Sequence, residues 1–88
     1  MEVKELERFL KALANRRRLL ILKYLKKQSE ANVTDIAGAI KLSLKSTSRH
    51  LSVLFAVDLV DRRQQSLEVH YRNASPVPAV IKQVITIL

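Results

Sequence analysis

No cysteine occurs among the 88 residues, so they can form no disulfide framework, thiolate metal site or thiol redox switch. Stability must come from packing, helped by oligomerisation, and the absence fits a cytoplasmic protein. Glycine appears once, at Gly38, which excludes a Gly-rich phosphate loop. The only prolines, Pro76 and Pro78, lie near the carboxyl end, and no Pro/Gly/Ser-rich linker, internal repeat or low-complexity tract divides the chain. Residues 1–88 are therefore expected to form a single domain. The longest apolar runs, such as Leu19 to Leu22, are far shorter than the ~20 residues of a membrane span. The opening MEVKELERF also lacks the basic-then-apolar order of a signal peptide, so no membrane partner is expected. There is no cysteine nucleophile and no histidine–carboxylate motif, and so short a chain leaves little room for a substrate cleft. An enzyme is not expected, nor any cofactor.

Acidic residues are the other scarcity: 8 stand against 16 Lys and Arg, a formal +8. Such a balance on a small body selects for a polyanionic partner, nucleic acid first and an acidic protein or membrane surface after it. The excess is concentrated in residues 1–30, with nine basic and four acidic groups. With 48% hydrophobic and 27% charged residues the composition is globular rather than disordered.

Val3, Leu6, Leu10 and Leu13 recur at helical spacing, and Asn15 can cap a second helix over Arg16 to about Lys27. Leu19, Leu20, Ile21, Leu22, Tyr24 and Leu25 surround that helix with apolar groups, which predicts a central position. Thr34 is expected to cap a third helix, Asp35 to Ile40. After a turn at Lys41 and Leu42, Ser43 caps a fourth that runs to about Val57. Two short helices joined by so tight a turn make a helix-turn-helix. Beyond Asp58, the runs 59–64 and 67–73 flank a polar Gln65–Ser66 turn and read as a β-hairpin. Pro76 and Pro78 suit the entrance of a fifth helix, whose β-branched residues make it dependent on packing. The fold class is mainly α with a β-hairpin, in the order α, α, α, α, hairpin, α.

At 100° per residue, Thr47, Leu51 and Leu54 fall within about 60° of one another on the fourth helix, while Lys45, Ser48, Arg49 and Ser52 share the opposite side. The first face anchors. The second offers small hydroxyls and long cationic donors, the groups needed to meet base edges and phosphates in a major groove. Ser46 and His50 flank it, His50 either reaching phosphate or hydrogen-bonded at the helix edge. In the hairpin, Arg62, Arg63 and Gln65 are candidates for backbone or minor-groove contact. Arg16, Arg17 and Arg18 oppose the helix dipole in the first turn of the second helix. Two readings stay open for them: contact of Arg16 and Arg17 with phosphates, or pairing with acids such as Glu5 and Glu7. His70 reads as a solvated strand position.

The segments LKALANRRRLLILKYL, VTDIAGAIKLSLKSTSRHLSVL and LVDRRQQSLEVHYR together resemble the ArsR/SmtB family of winged-helix transcriptional repressors over roughly residues 6–73. Leu10, Leu13, Ala14, Arg18, Leu19, Ile21 and Leu22 match the first part of its pattern, and Ser48, Arg49, His50, Leu51, Val53 and Leu54 match its recognition helix. Arg16 stands where the family usually has Pro, and Asp58 where it usually has Gly. The match at Arg18 implies a structural role for that residue. The resemblance implies a winged helix-turn-helix that binds double-stranded DNA as a homodimer on an imperfect inverted repeat. The other reading is a winged-helix interaction module for an acidic protein or RNA. In this family, metal sensing uses a Cys pair at the third helix or His and carboxylate ligands on the last. Here Asn32 and Thr34 occupy the first place and Lys82 is the only charge after Pro76, so no metal site is expected. The family also implies that the terminal helices pair with their symmetry mates, which assigns Val3, Leu6, Phe9 and Leu10 with Val77, Val80, Ile81, Val84, Ile85 and Leu88 to a dimer interface.

Overall fold

In the computed structural model, which describes all 88 residues, eight elements follow one another. They are α1 (Val3–Leu13), α2 (Arg16–Gln28), β1 (Ala31–Asn32), α3 (Val33–Ile40), α4 (Leu44–Ala56), β2 (Val60–Gln65), β3 (Glu68–Asn73) and α5 (Ala79–Ile87). Asn15 separates the first two helices because its extended backbone turns its side-chain oxygen onto the Arg18 N–H at 3.1 Å. Ser43 does the same for α4, accepting from the Ser46 N–H at 3.1 Å.

α3 begins earlier than expected. Asn32, not Thr34, is its cap, accepting from the Asp35 N–H at 2.8 Å. The reason is β1: pairing of Ala31 with Tyr71 and Asn32 with His70 holds the chain extended up to Asn32, which puts the cap there. This two-residue strand makes the sheet three-stranded, in the order β1-β3-β2. The hairpin pairs Val60 with Asn73 through Gln65 with Glu68, so its turn is Ser66–Leu67, one residue later than expected. Ser66 takes the left-handed backbone (φ 57°) where a glycine is customary.

α3 and α4 end in the same way. Lys41 (φ 56°) lets the Leu42 N–H reach the Ala37 carbonyl at 3.0 Å, and Asp58 (φ 59°) lets the Leu59 N–H reach the Leu54 carbonyl at 2.9 Å. Both are Schellman closures without glycine, each carrying a modest conformational cost.

The core gathers Ile21, Leu22 and Leu25 of α2 with Ile36, Leu51, Leu54, Leu59 and Val60. Each fully buried aliphatic side chain contributes about 1.5–3 kcal/mol of transfer free energy. α2 is central, as expected, but Leu20 on its outer side is 38% exposed. Two residues assigned to a dimer surface belong to this core instead. Ile81 is 0% exposed and Phe9 9%, because α5 folds back onto the chain's own core and α1 presents Phe9, Ala12 and Leu13 inward. No helix is long and apolar enough to cross a membrane.

Candidate nucleic-acid interface

The Schellman turn at Lys41 and the cap at Ser43 fix how α4 leaves α3. Thr47, Leu51 and Leu54 are then buried, while Lys45, Ser48, Arg49 and Ser52 are exposed. Ser46 is half-buried, close to the cap. The Ser52 hydroxyl donates to the Ser48 carbonyl at 3.0 Å, which keeps that side chain low against the helix. The exposed face thus has a low centre flanked by the long cations Lys45 and Arg49.

The start of α2 stands beside this face. Arg18 donates through Nε to the Ala12 carbonyl at 2.6 Å and through Nη2 to the Lys11 carbonyl at 3.2 Å, satisfying carbonyls that α1 leaves open at its end. Its Nη1 lies 3.4 Å from His50 Nδ1 on α4. Because a guanidinium can only donate, His50 Nδ1 is the acceptor and the neutral ring carries its proton on Nε2. Burial, followed by the charges of Arg18, Arg17 and Arg49, holds the His50 pKa below its ordinary value of 6.5. The structure therefore gathers Arg17, Arg18 and Arg49 around one imidazole, joining two stretches that lie far apart in sequence. Arg18 has a structural part; Arg16 and Arg17 are exposed and pair with neither Glu5 nor Glu7.

The hairpin differs from expectation. The Arg62 guanidinium carbon lies over the Phe55 ring, 4.0 Å from its centre, and Arg63 Nη2 donates to both oxygens of Glu30 at 2.7 and 3.0 Å. His70 is not a solvated strand position: its ring sits between Glu30, 3.1 Å from Nδ1, and Glu68, 3.2 Å from Nε2. Each arginine thus has a partner within the protein while staying exposed, Phe55 of α4 and Glu30 between α2 and β1, 7 and 33 positions away, contacts that no local pattern reveals. The hairpin tip is left to Gln65, Ser66 and Leu67, with Leu67 98% exposed. One residue of the exposed α4 face stands opposite the hairpin, since Ser48 lines a cleft of about 400 Å³ together with Thr34, Leu67, Val69 and Tyr71. Sequence reasoning missed Leu67 and Thr34 as neighbours of this face; the β1–β3 pairing that brings them there has no periodic signal.

The terminal helices leave apolar groups in solvent. Val3 is 82% and Ile87 81% exposed, with Leu10 and Val80 also exposed. Leu6, Val77, Val84, Ile85 and Leu88 are half-buried.

Comparison with known proteins gives a consistent family. Residues 15–62 match the model of the bacterial regulatory protein, arsR family. The chain is 42% identical over 74 residues to the nodulation protein NolR of Rhizobium meliloti, covering 84% of this chain and 58% of that protein. It thus spans somewhat more than half the length of that curated relative. Among solved structures, reduced HlyU from Vibrio cholerae is 33% identical with a TM-score of 0.82, covering 97% of this chain and 85% of that one. The homodimeric winged helix-turn-helix DNA-binding domain of Mb0332 from Mycobacterium bovis is also 33% identical with a TM-score of 0.82, covering 97% and 75%. The matching family is one of regulatory proteins, not enzymes, and the Mycobacterium bovis protein is described as a possible ArsR-family transcriptional regulator.

Proposed function

The chain belongs to the arsR family of bacterial regulatory proteins, and from that premise we propose that it represses transcription by binding a specific duplex operator as a homodimer, without a metal ion. Residues 1–88 act as one winged-helix unit whose two terminal helices meet their symmetry mates. The observation that carries the reading is the divided surface of α4, with Thr47, Leu51 and Leu54 buried and Lys45, Ser48, Arg49 and Ser52 exposed. Around it, Arg16, Arg17 and the hairpin tip at Gln65 supply cations and amides for the phosphate backbone, the contacts that position a reader on its duplex. Arg62 and Arg63 remain exposed beside their contacts with Phe55 and Glu30 and add cationic donors for the phosphate backbone.

Dimer formation is supported by the exposed Val3, Leu10, Val80 and Ile87, which are costly to leave in water and lie on the two terminal helices. A two-fold dimer sets its recognition helices about 34 Å apart, one duplex turn, and so calls for an imperfect inverted repeat. A dimer seated on that repeat excludes other proteins from it, which is repression in its simplest form. Metal independence follows from the donor chemistry. The family's thiolate places hold Asn32 and Thr34, and the Asn32 oxygen is engaged in capping α3. The residues present do not fit a metal of that kind.

Selection of bound fragments from a random duplex pool tests the reading. Enrichment of a sequence with two inverted half-sites about one turn apart is expected. A pool that stays random after repeated rounds, at salt where the protein still binds, contradicts sequence-specific repression.

A further inference from the structure

On the side of α2 away from β3, the exposed Leu20 and the half-buried Tyr24 of α2, Ile40 at the end of α3 and Leu88 after α5 floor an open cleft of about 520 Å³. That volume lies within the range of about 300–1,000 Å³ of small-molecule sites. Four lysines line the rest of the wall: Lys23, Lys26 and Lys27 from successive turns of α2, and Lys41 from the turn after α3. No acidic side chain lines the cleft, and none of Lys23, Lys27 and Lys41 takes part in an ion pair. Only Lys26 is engaged, donating to the Thr86 carbonyl at 2.7 Å. The cleft lies outside the DNA-facing surface described above, since none of that surface's residues lines it.

We propose that this cleft binds a free amphiphilic carboxylate, its hydrocarbon chain against Leu20, Tyr24 and Ile40 and its head group among Lys23, Lys27 and Lys41. The charge pattern selects the occupant. The apolar floor would go unused by a nucleic-acid backbone, and a rim whose side chains are cationic with no acidic one among them favours an anionic amphiphile over a neutral or cationic one. A folded protein partner needs about 800 Å² on each side, far more than one concave pocket presents. The position gives the ligand a consequence. Ile40 and Lys41 lead directly into the turn that orients α4, so a molecule wedged against them favours a different setting of the recognition helix. Its negative charge also reduces the field that attracts DNA. Occupancy therefore weakens operator binding, a regulatory step that rests on the proposed function; binding itself does not depend on it.

Titration of the ¹⁵N-labelled chain with dodecanoate below its micelle concentration tests the site, with dodecanol and dodecylammonium as head-group controls. The expected result is saturable binding of one dodecanoate per chain with amide shifts centred on Leu20, Tyr24 and Ile40. The double variant Lys23→Gln, Lys41→Gln should bind at least tenfold more weakly while its amide spectrum stays folded. Equal binding of dodecanol, an unweakened double variant, or shifts centred on Val3 and Val80 would overturn the site. So would binding confined to anionic phospholipid vesicles, with none to free dodecanoate. In a second arm, dodecanoate should lower the affinity of the parent for its selected duplex several-fold and leave that of the double variant unchanged. Unaltered duplex affinity with intact dodecanoate binding overturns the regulatory step alone. A parent that binds no duplex specifically removes the proposed function and leaves the titration to decide the site.

Discussion

Arg18 joins three helices with one guanidinium: it closes the end of α1 through the Ala12 and Lys11 carbonyls and lies against His50 of α4. Lysine cannot reproduce that fork, because its ammonium is a single point on a flexible stem. Arg18→Lys should therefore cost up to about 1.5–3 kcal/mol in urea unfolding, the range for a hydrogen bond that involves a charged group. A variant as stable as the parent would remove Arg18 from the structural account. His50 adds a pH dependence whose sign follows from its lowered pKa. The folded state keeps the ring neutral at a pH where the unfolded chain already binds the proton. The stability this represents is present above 6.5 and is lost as pH falls below it. Between pH 7.5 and 5 the parent should thus lose more stability than His50→Gln. Equal losses in the two proteins would show that Arg17, Arg18 and Arg49 do not press on this ring.

At the scale of elements, the parts governed by near neighbours were legible in the sequence. Asn15 and Ser43 cap the helices they were expected to cap, Lys41 turns where a turn was expected, and the two faces of α4 follow from a 100° period. What was not legible depends on distant partners. β1 is two residues long and exists only because β3 pairs with it, and Arg63 is tied by a glutamate 33 residues away. α5 is present as expected, but its inward side was hidden for a different reason. Val80, Ile81, Val84, Ile85 and Ile87 put apolar groups on several sides of the helix, so the pattern could not say which side faces the core. The structure buries Ile81 and leaves Val80 and Ile87 outside, and this separates two kinds of variant. Ile81→Ala should cost about 2–5 kcal/mol of stability as a core truncation. Val80→Glu with Ile87→Glu should keep the fold by circular dichroism yet sediment as a monomer. Dimers that persist in the double variant would put the interface on another surface.

For the whole molecule, the net charge of +8 indicates a polyanion but cannot say where the polyanion lies. The location proposed above is the exposed face of α4, which carries Lys45 and Arg49, with Arg17 near enough to act on His50 of the same helix and Leu67 of the hairpin tip across a cleft from Ser48. The fold also sets the exposed Arg62 and Arg63 against Phe55 and Glu30. The central claim is that this face reads base sequence, whereas the remaining positive surface only attracts the duplex. Titration of Arg49→Ala and Lys45→Ala against both the selected operator and a random duplex, at one fixed salt concentration, tests that division most directly. Each variant should lose about 1–3 kcal/mol of operator affinity for each base contact removed, and much less on the random duplex. Operator binding equal to that of the parent in both variants, or equal losses on the two duplexes, would contradict the account.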